Sequence, residues 1–190
     1  MKHLKNITGR TRLAVAGAVL VATAAGTTLG AVSASASSPA PAASGTAAHK
    51  DVPRGDLTVS THLGVDGAAR AAQAALDAAE KENQHVSVAV VDRDGNTVVT
   101  LRGDGSGPQS YESAAKKAYT AVSWSAPTSE LVKRLEQTPQ LKDIPGTLFL
   151  AGGVPVTVKG TPVAGIGVAG APSGDLDEKF ARAGAAALTE

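Results

Sequence analysis

Gly165-Ile166-Gly167-Val168-Ala169-Gly170 places three glycines at G-x-G-x-x-G spacing near the end of a 190-residue chain. No other stretch narrows the fold as much. The string belongs either to a nucleotide-binding turn or to a strand pressed against a neighbour. A dinucleotide fingerprint lies between a strand and a helix, and needs an acidic residue about 20 positions further on, at the end of a second parallel strand. Only 20 residues follow Gly170, and Ala171-Pro172 stands where that helix would begin. A βαβ unit has no room here. Glycine inside a strand instead marks a bulge or the close approach of another backbone. An alanine-striped helix such as 65–82 would be a suitable partner.

That helix is read from Gly64 to Asn83. Val65, Ala68, Ala69, Ala72, Ala75, Leu76 and Ala79 recur at helical spacing, with Arg70, Gln73, Asp77, Glu80 and Lys81 on other faces. Two β-branched runs follow, Val86–Val91 and Thr97–Leu101, around Asp92-Arg93-Asp94-Gly95-Asn96. Asp-Gly between alternating apolar runs predicts a hairpin. Beyond the glycine-rich loop 103–110, Ser110 is expected to cap a helix over Tyr111–Ser123, with Glu112 four residues before Lys116. Pro127 ends or restarts it, and Thr128–Gln137 makes a shorter amphipathic turn before a proline-closed loop, 139–146. Three β-rich pieces come next, Thr147–Leu150, Val154–Val158 and Pro162–Val168. Ser173 and Asp175 then cap a last helix reaching Leu188, with Phe180, Ala183 and Ala187 on one face. The order α-ββ-αα-βββ-α predicts a single α+β domain, a mostly antiparallel five-stranded sheet flanked by helices.

The domain is expected over residues 58–190. Residues 1–36 read as a signal peptide: Lys2, Lys5, Arg10 and Arg12 precede an apolar run, Leu13 to Leu29, that ends at Ala34-Ser35-Ala36. Residues 37–57, rich in Ser, Pro and Ala, read as a flexible lead-in. The expected location is therefore secreted and extracellular. The chain has no cysteine, so its stability must come from packing or subunit association. A net charge of +1 gives neither a nucleic-acid footprint nor a polybasic membrane patch. No C-x-x-C or H-E-x-x-H occurs, and Ser123 and Ser125 have no histidine nearby in sequence.

The stretches "VSVAVVDRDGNTVVTLRGDG", "ESAAKKAYTAVSWSAPTSEL", "PGTLFLAGGVPV" and "GTPVAGIGVAGAPSGDLDEKFARAGAAAL" together resemble the GlcG-like, haem-degrading-domain family, across essentially all of residues 62–188. The resemblance implies a helix-flanked antiparallel sheet, a large homo-oligomer (an octamer) and haem binding. It further implies slow haem or iron chemistry outside the cell, redox-responsive, beside the extracellular part of a membrane sensor histidine kinase.

Haem iron is usually held by His, Cys, Met or Tyr. After removal of the export signal the chain keeps His49, His62 and His85, with Tyr111 and Tyr119. His49 lies in the lead-in. His62 and His85 fit ordinary surface histidines, or with Glu112 an exposed site for an iron or zinc ion. The resemblance implies a threonine oxygen as the axial haem ligand, and the matching position is Thr147, followed by apolar Leu148, Phe149 and Leu150. An ordinary β-branched residue opening a strand reads equally well from the residues alone. Arg102, Lys116 and Lys117 are candidates to meet the haem propionates, with Tyr111 beside them; solvated faces are the alternative. Relatives can carry a second acidic residue three positions after Glu112, where this chain has Ala115. Asp175, Asp177 and Glu178 fit a helix N-terminus favouring negative charge rather than a metal cage. Peroxide-dependent haem degradation with iron release, a carrier of cobalamin or another tetrapyrrole, and an oligomeric interaction protein with incidental haem affinity all remain open at this level.

Overall fold

The structure, a computed structural model, describes residues 51–189. The expected export signal, Lys50 and the lead-in before it, His49 included, lie outside the described residues. Four α-helices and four strands follow: α1 (Val65–Glu80), β1 (Ser87–Asp92), β2 (Thr97–Arg102), α2 (Ser110–Trp124), α3 (Thr128–Val132), β3 (Gly153–Val158), β4 (Thr161–Ala169) and α4 (Gly174–Ala186). Short 3-10 turns occupy Arg54–Asp56, Lys133–Glu136 and Pro139–Asp143. The sheet is antiparallel throughout, in the order β2-β1-β4-β3.

The α+β class agrees with the sequence reading, but the sheet has four strands rather than five. Thr147–Leu150 is not a strand. Gly146 and Gly152, both at positive φ (79° and 127°), bracket the segment. The Leu148 N–H is given to the Thr120 hydroxyl at 2.8 Å instead of a neighbouring strand. β-propensity reports a half-buried fit, not an intrinsic backbone preference, and here the glycines turn the chain away from the sheet.

The expected hairpin forms as β1–β2, with a bulge between Val90 and Val91. Asp92 builds its turn: Oδ1 accepts the N–H groups of Asp94 (2.9 Å) and Asn96 (2.8 Å), while Gly95 supplies a φ of 90°. Burial pushes the Asp92 carboxyl up, but the bonds from Asn96 and Asp94 and the charge of His62 outweigh it and hold it below the usual range.

Alternate residues of the strands face two helical layers. On one face Val88, Val90, Val154, Ile166, Val168 and Phe180 form the main core with the alanines of α1. Of the stripe expected on α1, Ala68, Ala72, Ala75, Leu76 and Ala79 are buried; Ala71 joins them, while Val65 and Ala69 are exposed. The other face carries Ala89, Val91, Gly165 and Gly167 beneath α2.

Gly165 and Gly167 thus lie in a strand, β4, as expected, with Gly170 just past its end, but their partner is α2 rather than α1. A Cβ on Gly167 would overlap the Ala114 carbonyl, and one on Gly165 the Ala118 carbonyl. The alanine stripe of α1 packs instead on α4, where a Cβ on Gly184 would lie 2.6 Å from the Ala71 carbonyl. No described helix is long and apolar enough to cross a membrane.

Candidate functional site

Helix α2 organises the chemistry. Ser110, expected as its cap, lies within the first turn. Its buried hydroxyl donates to the Gly107 carbonyl at 2.6 Å and meets the Ser87 hydroxyl at 2.8 Å. Further along, Thr120 is fully buried and Lys117 is 4% exposed. Lys117 Nζ donates to Asp177 Oδ2 at 2.7 Å and to the Val168 carbonyl at 3.0 Å. Burial pushes the Asp177 carboxyl up, against the pull of Lys117 and of the Ala171 and Gly170 N–H groups. Lys117 therefore does not form a solvated face, and its charge is already met. Asp177 is correspondingly more than a helix-dipole carboxylate.

The neighbouring acid, Glu178, is also buried. It accepts the Ser129 hydroxyl (2.8 Å) and N–H (3.1 Å), and pairs with Arg182 at 2.6 Å. Ser173 caps α4 as expected, through the Leu176 N–H at 3.2 Å.

Residues 147–151 run beside α2 without strand pairing. Leu148 is held at Thr120, while Leu148 and Leu150 line a cavity of 250 Å³ with Ser113 and Lys117. Leu150 and Lys117 also line a second cavity of 430 Å³, at the start of α4. Thr147, half-buried, opens the segment. Its hydroxyl donates to the Ile144 carbonyl at 2.8 Å. Once its proton is spent there, the oxygen's remaining lone pairs are free to accept or to coordinate. Ile144 is 40% exposed and Leu150 56%, so the exposed surface of this segment is apolar on both sides of the threonine in sequence. Phe149 points inward and meets Trp124 edge to face, with centroids 5.2 Å apart.

The other expected residues divide between the two ends of the molecule. Lys116 lies one turn before Thr120, about 6 Å along the axis, and pairs with Glu112 at 2.6 Å. The Lys116 hydrogen bond holds the Glu112 carboxyl below its ordinary range. Arg102 is exposed and pins the loop 103–110 through the Ser106 carbonyl at 3.1 Å. Tyr111 is 51% exposed in the first turn of α2. His85 is exposed before β1 and lies against Gly105, near the Arg102 end of the hairpin. His62 is found at the opposite end, 3.6 Å from Asp94 and 2.6 Å from the Ser60 hydroxyl. His62, His85 and Glu112 are therefore not gathered into one site within a chain. Among the described residues no group of three or more His, Cys, Asp or Glu is placed to hold a metal.

Sequence reasoning missed Thr120, Asp177 and Glu178 as structural acceptors. Their partners lie 28, 60 and 49 positions away, and no local pattern marks such a pairing.

The residues around Thr147 fit an oxygen-ligated haem: an available oxygen, apolar neighbours, and a lysine one turn from the segment's tether. No curated protein matches the chain. Among solved structures, a double mutant of the Streptomyces reticuli HbpS is 74% identical, with a TM-score of 0.73, covering 74% of this chain and 96% of that one. The haem complex of PduOC is 26% identical with a TM-score of 0.62, covering 67% of this chain and 95% of that one. Klebsiella pneumoniae protein ORFY, at 24% identity and a TM-score of 0.64 over 70% of this chain and 94% of that one, shares the fold. The family model described as haem degrading protein HbpS-like matches residues 63–186, and the chain belongs to that family.

Proposed function

We propose that this chain is an exported haem-binding protein, a homo-octamer, that conveys a redox signal to the extracellular part of a membrane sensor histidine kinase. The observation that carries the haem reading is the Thr147 hydroxyl. It is held by Ile144, is half-buried among exposed apolar neighbours, and has an oxygen still able to coordinate. Bound haem would supply redox-active iron, a chemistry none of the side chains here provides. In this reading Thr147 Oγ1 would hold the haem iron, and Ile144 and Leu150 would cover the ring. Lys116 would meet a propionate, giving up its exposed partner Glu112 to do so. Arg102 and Tyr111, at the far end of α2, are outer contacts. Lys117 keeps its structural pairing. A separate iron ion would be taken at single exposed positions, His62 with Asp94, or Glu112 and His85, rather than in a preformed cage.

The family description, haem degrading, favours a second reading; in it, added peroxide would be the oxidant that breaks the bound haem down, with release of its iron. Both readings are tested with Trp124, the chain's single tryptophan. It touches Phe149, two residues from Thr147, so haem bound there quenches its fluorescence. Haemin titration should give saturable quenching at one haem per chain; fluorescence unchanged at stoichiometric haemin contradicts haem binding at Thr147. Cobalamin displacing haemin would favour a general tetrapyrrole carrier. Peroxide added to the complex then separates the readings: iron captured by a chelator as the haem absorption disappears supports degradation, and a stable band supports binding alone.

A further inference from the structure

We infer that Thr120 is the positioning residue for Thr147, an inference that rests on the haem reading above. Residues 147–151 have no strand partner, so something else must fix their backbone. At the far end, Gly153 gives its N–H to the Thr128 hydroxyl at 2.8 Å. At the near end, Gly146 lies over the Tyr119 ring, with 3.6 Å between the ring and the site of an added Cβ. The polar tether next to Thr147 is the Leu148 N–H, accepted at 2.8 Å by Thr120 Oγ1.

That hydroxyl has both its roles assigned. Its own proton goes to the Lys116 carbonyl at 2.8 Å, which leaves an oxygen lone pair for Leu148. One buried side chain thereby ties the residue after the proposed ligand to the backbone of the proposed propionate lysine. Thr147 is also held to the Ile144 carbonyl through its own N–H and hydroxyl, but this bridge is what sets its register against Lys116. Catalytic and binding groups need support from such locked neighbours to hold their geometry.

Valine copies the shape of threonine without the acceptor, and serine keeps the acceptor. The full chain with Thr120→Val should bind haemin roughly tenfold more weakly, the scale of one lost buried hydrogen bond. Its Soret band should shift toward that of Thr147→Ala, while Thr120→Ser keeps the wild-type band. Val154→Ala, in the core on the opposite face of the sheet, serves as a control for plain destabilisation and should leave the band in place. The inference is overturned if Thr147→Ala alters the band and Thr120→Val does not, or if Val154→Ala alters it equally. If Thr147→Ala itself changes nothing, it is the haem-ligand reading that falls. Should Thr120→Val fail to fold, hydrogen exchange of the wild-type segment decides: a protected Leu148 amide supports the tether, and a freely exchanging one refutes it.

Discussion

At the scale of single residues, the firmest feature is the buried ion pair between Lys117 and Asp177, each side chain 5% exposed. Breaking such a pair from one side strands a charge, whereas replacing both partners by apolar groups can be nearly neutral. Asp177→Asn should cost about 3–5 kcal/mol in denaturant unfolding, and Lys117→Met combined with Asp177→Leu should recover most of that loss. Equal losses in the single and double variants would show that the pair's hydrogen bonds to Val168 and Ala171, rather than its charges, set the cost. Asp92 contributes on the acid side. Its folded carboxyl titrates below the ordinary value, so its stabilisation is complete above the unfolded pKa of about 3.9 and is lost as pH falls through the lowered one. Thermal unfolding followed across that range should therefore drop more steeply for the wild type than for Asp92→Asn. The Asp92 turn was legible because Asp-Gly between β-branched runs is a local signal. The ion pair was not, since α2 and α4 bring its members together across 60 positions.

Among the elements, α2 lies unusually close to β4 because Gly165 and Gly167 have no Cβ to hold it away. Gly167→Ala would place a methyl group against the Ala114 carbonyl, which a packed helix cannot yield cheaply. Overpacking of this kind costs about 1–3 kcal/mol and occasionally more; chemical denaturation should show a loss at or above the top of that range. A loss below about 1 kcal/mol would mean that α2 can lift off the sheet. Helical and two-residue periodicity made most elements readable. It also gave the glycines a packing role, while assigning them the wrong helix. Two helices with small-residue faces, α1 and α2, satisfy the same pattern, and only the register of β4 with β1 decides which face each covers. Thr147–Leu150 misled for a related reason: its composition suits a strand, but Gly146 and Gly152, both at positive φ, bend the chain at either end of it.

For the molecule as a whole, family membership and the α+β fold rest on agreement across residues 63–186, while export, octameric assembly and partnership with a kinase belong to the proposal. Light scattering of the protein purified without haem should return the mass of eight chains, and a monomer would contradict the assembly. Thr147 could be singled out in the sequence only through the resemblance. What makes it chemically suitable, a spent proton and a tethered neighbour, comes from Ile144 and from Thr120 across the fold. The central claim is that haem is held through this one oxygen. Its most direct test is the absorption spectrum of haemin with the wild-type protein beside Thr147→Ala, both confirmed as folded. Haem held at Thr147 should give a protein-specific Soret band in the wild type that weakens or shifts in the variant. Identical bands in the two proteins, or a spectrum of free haemin in both, would contradict it.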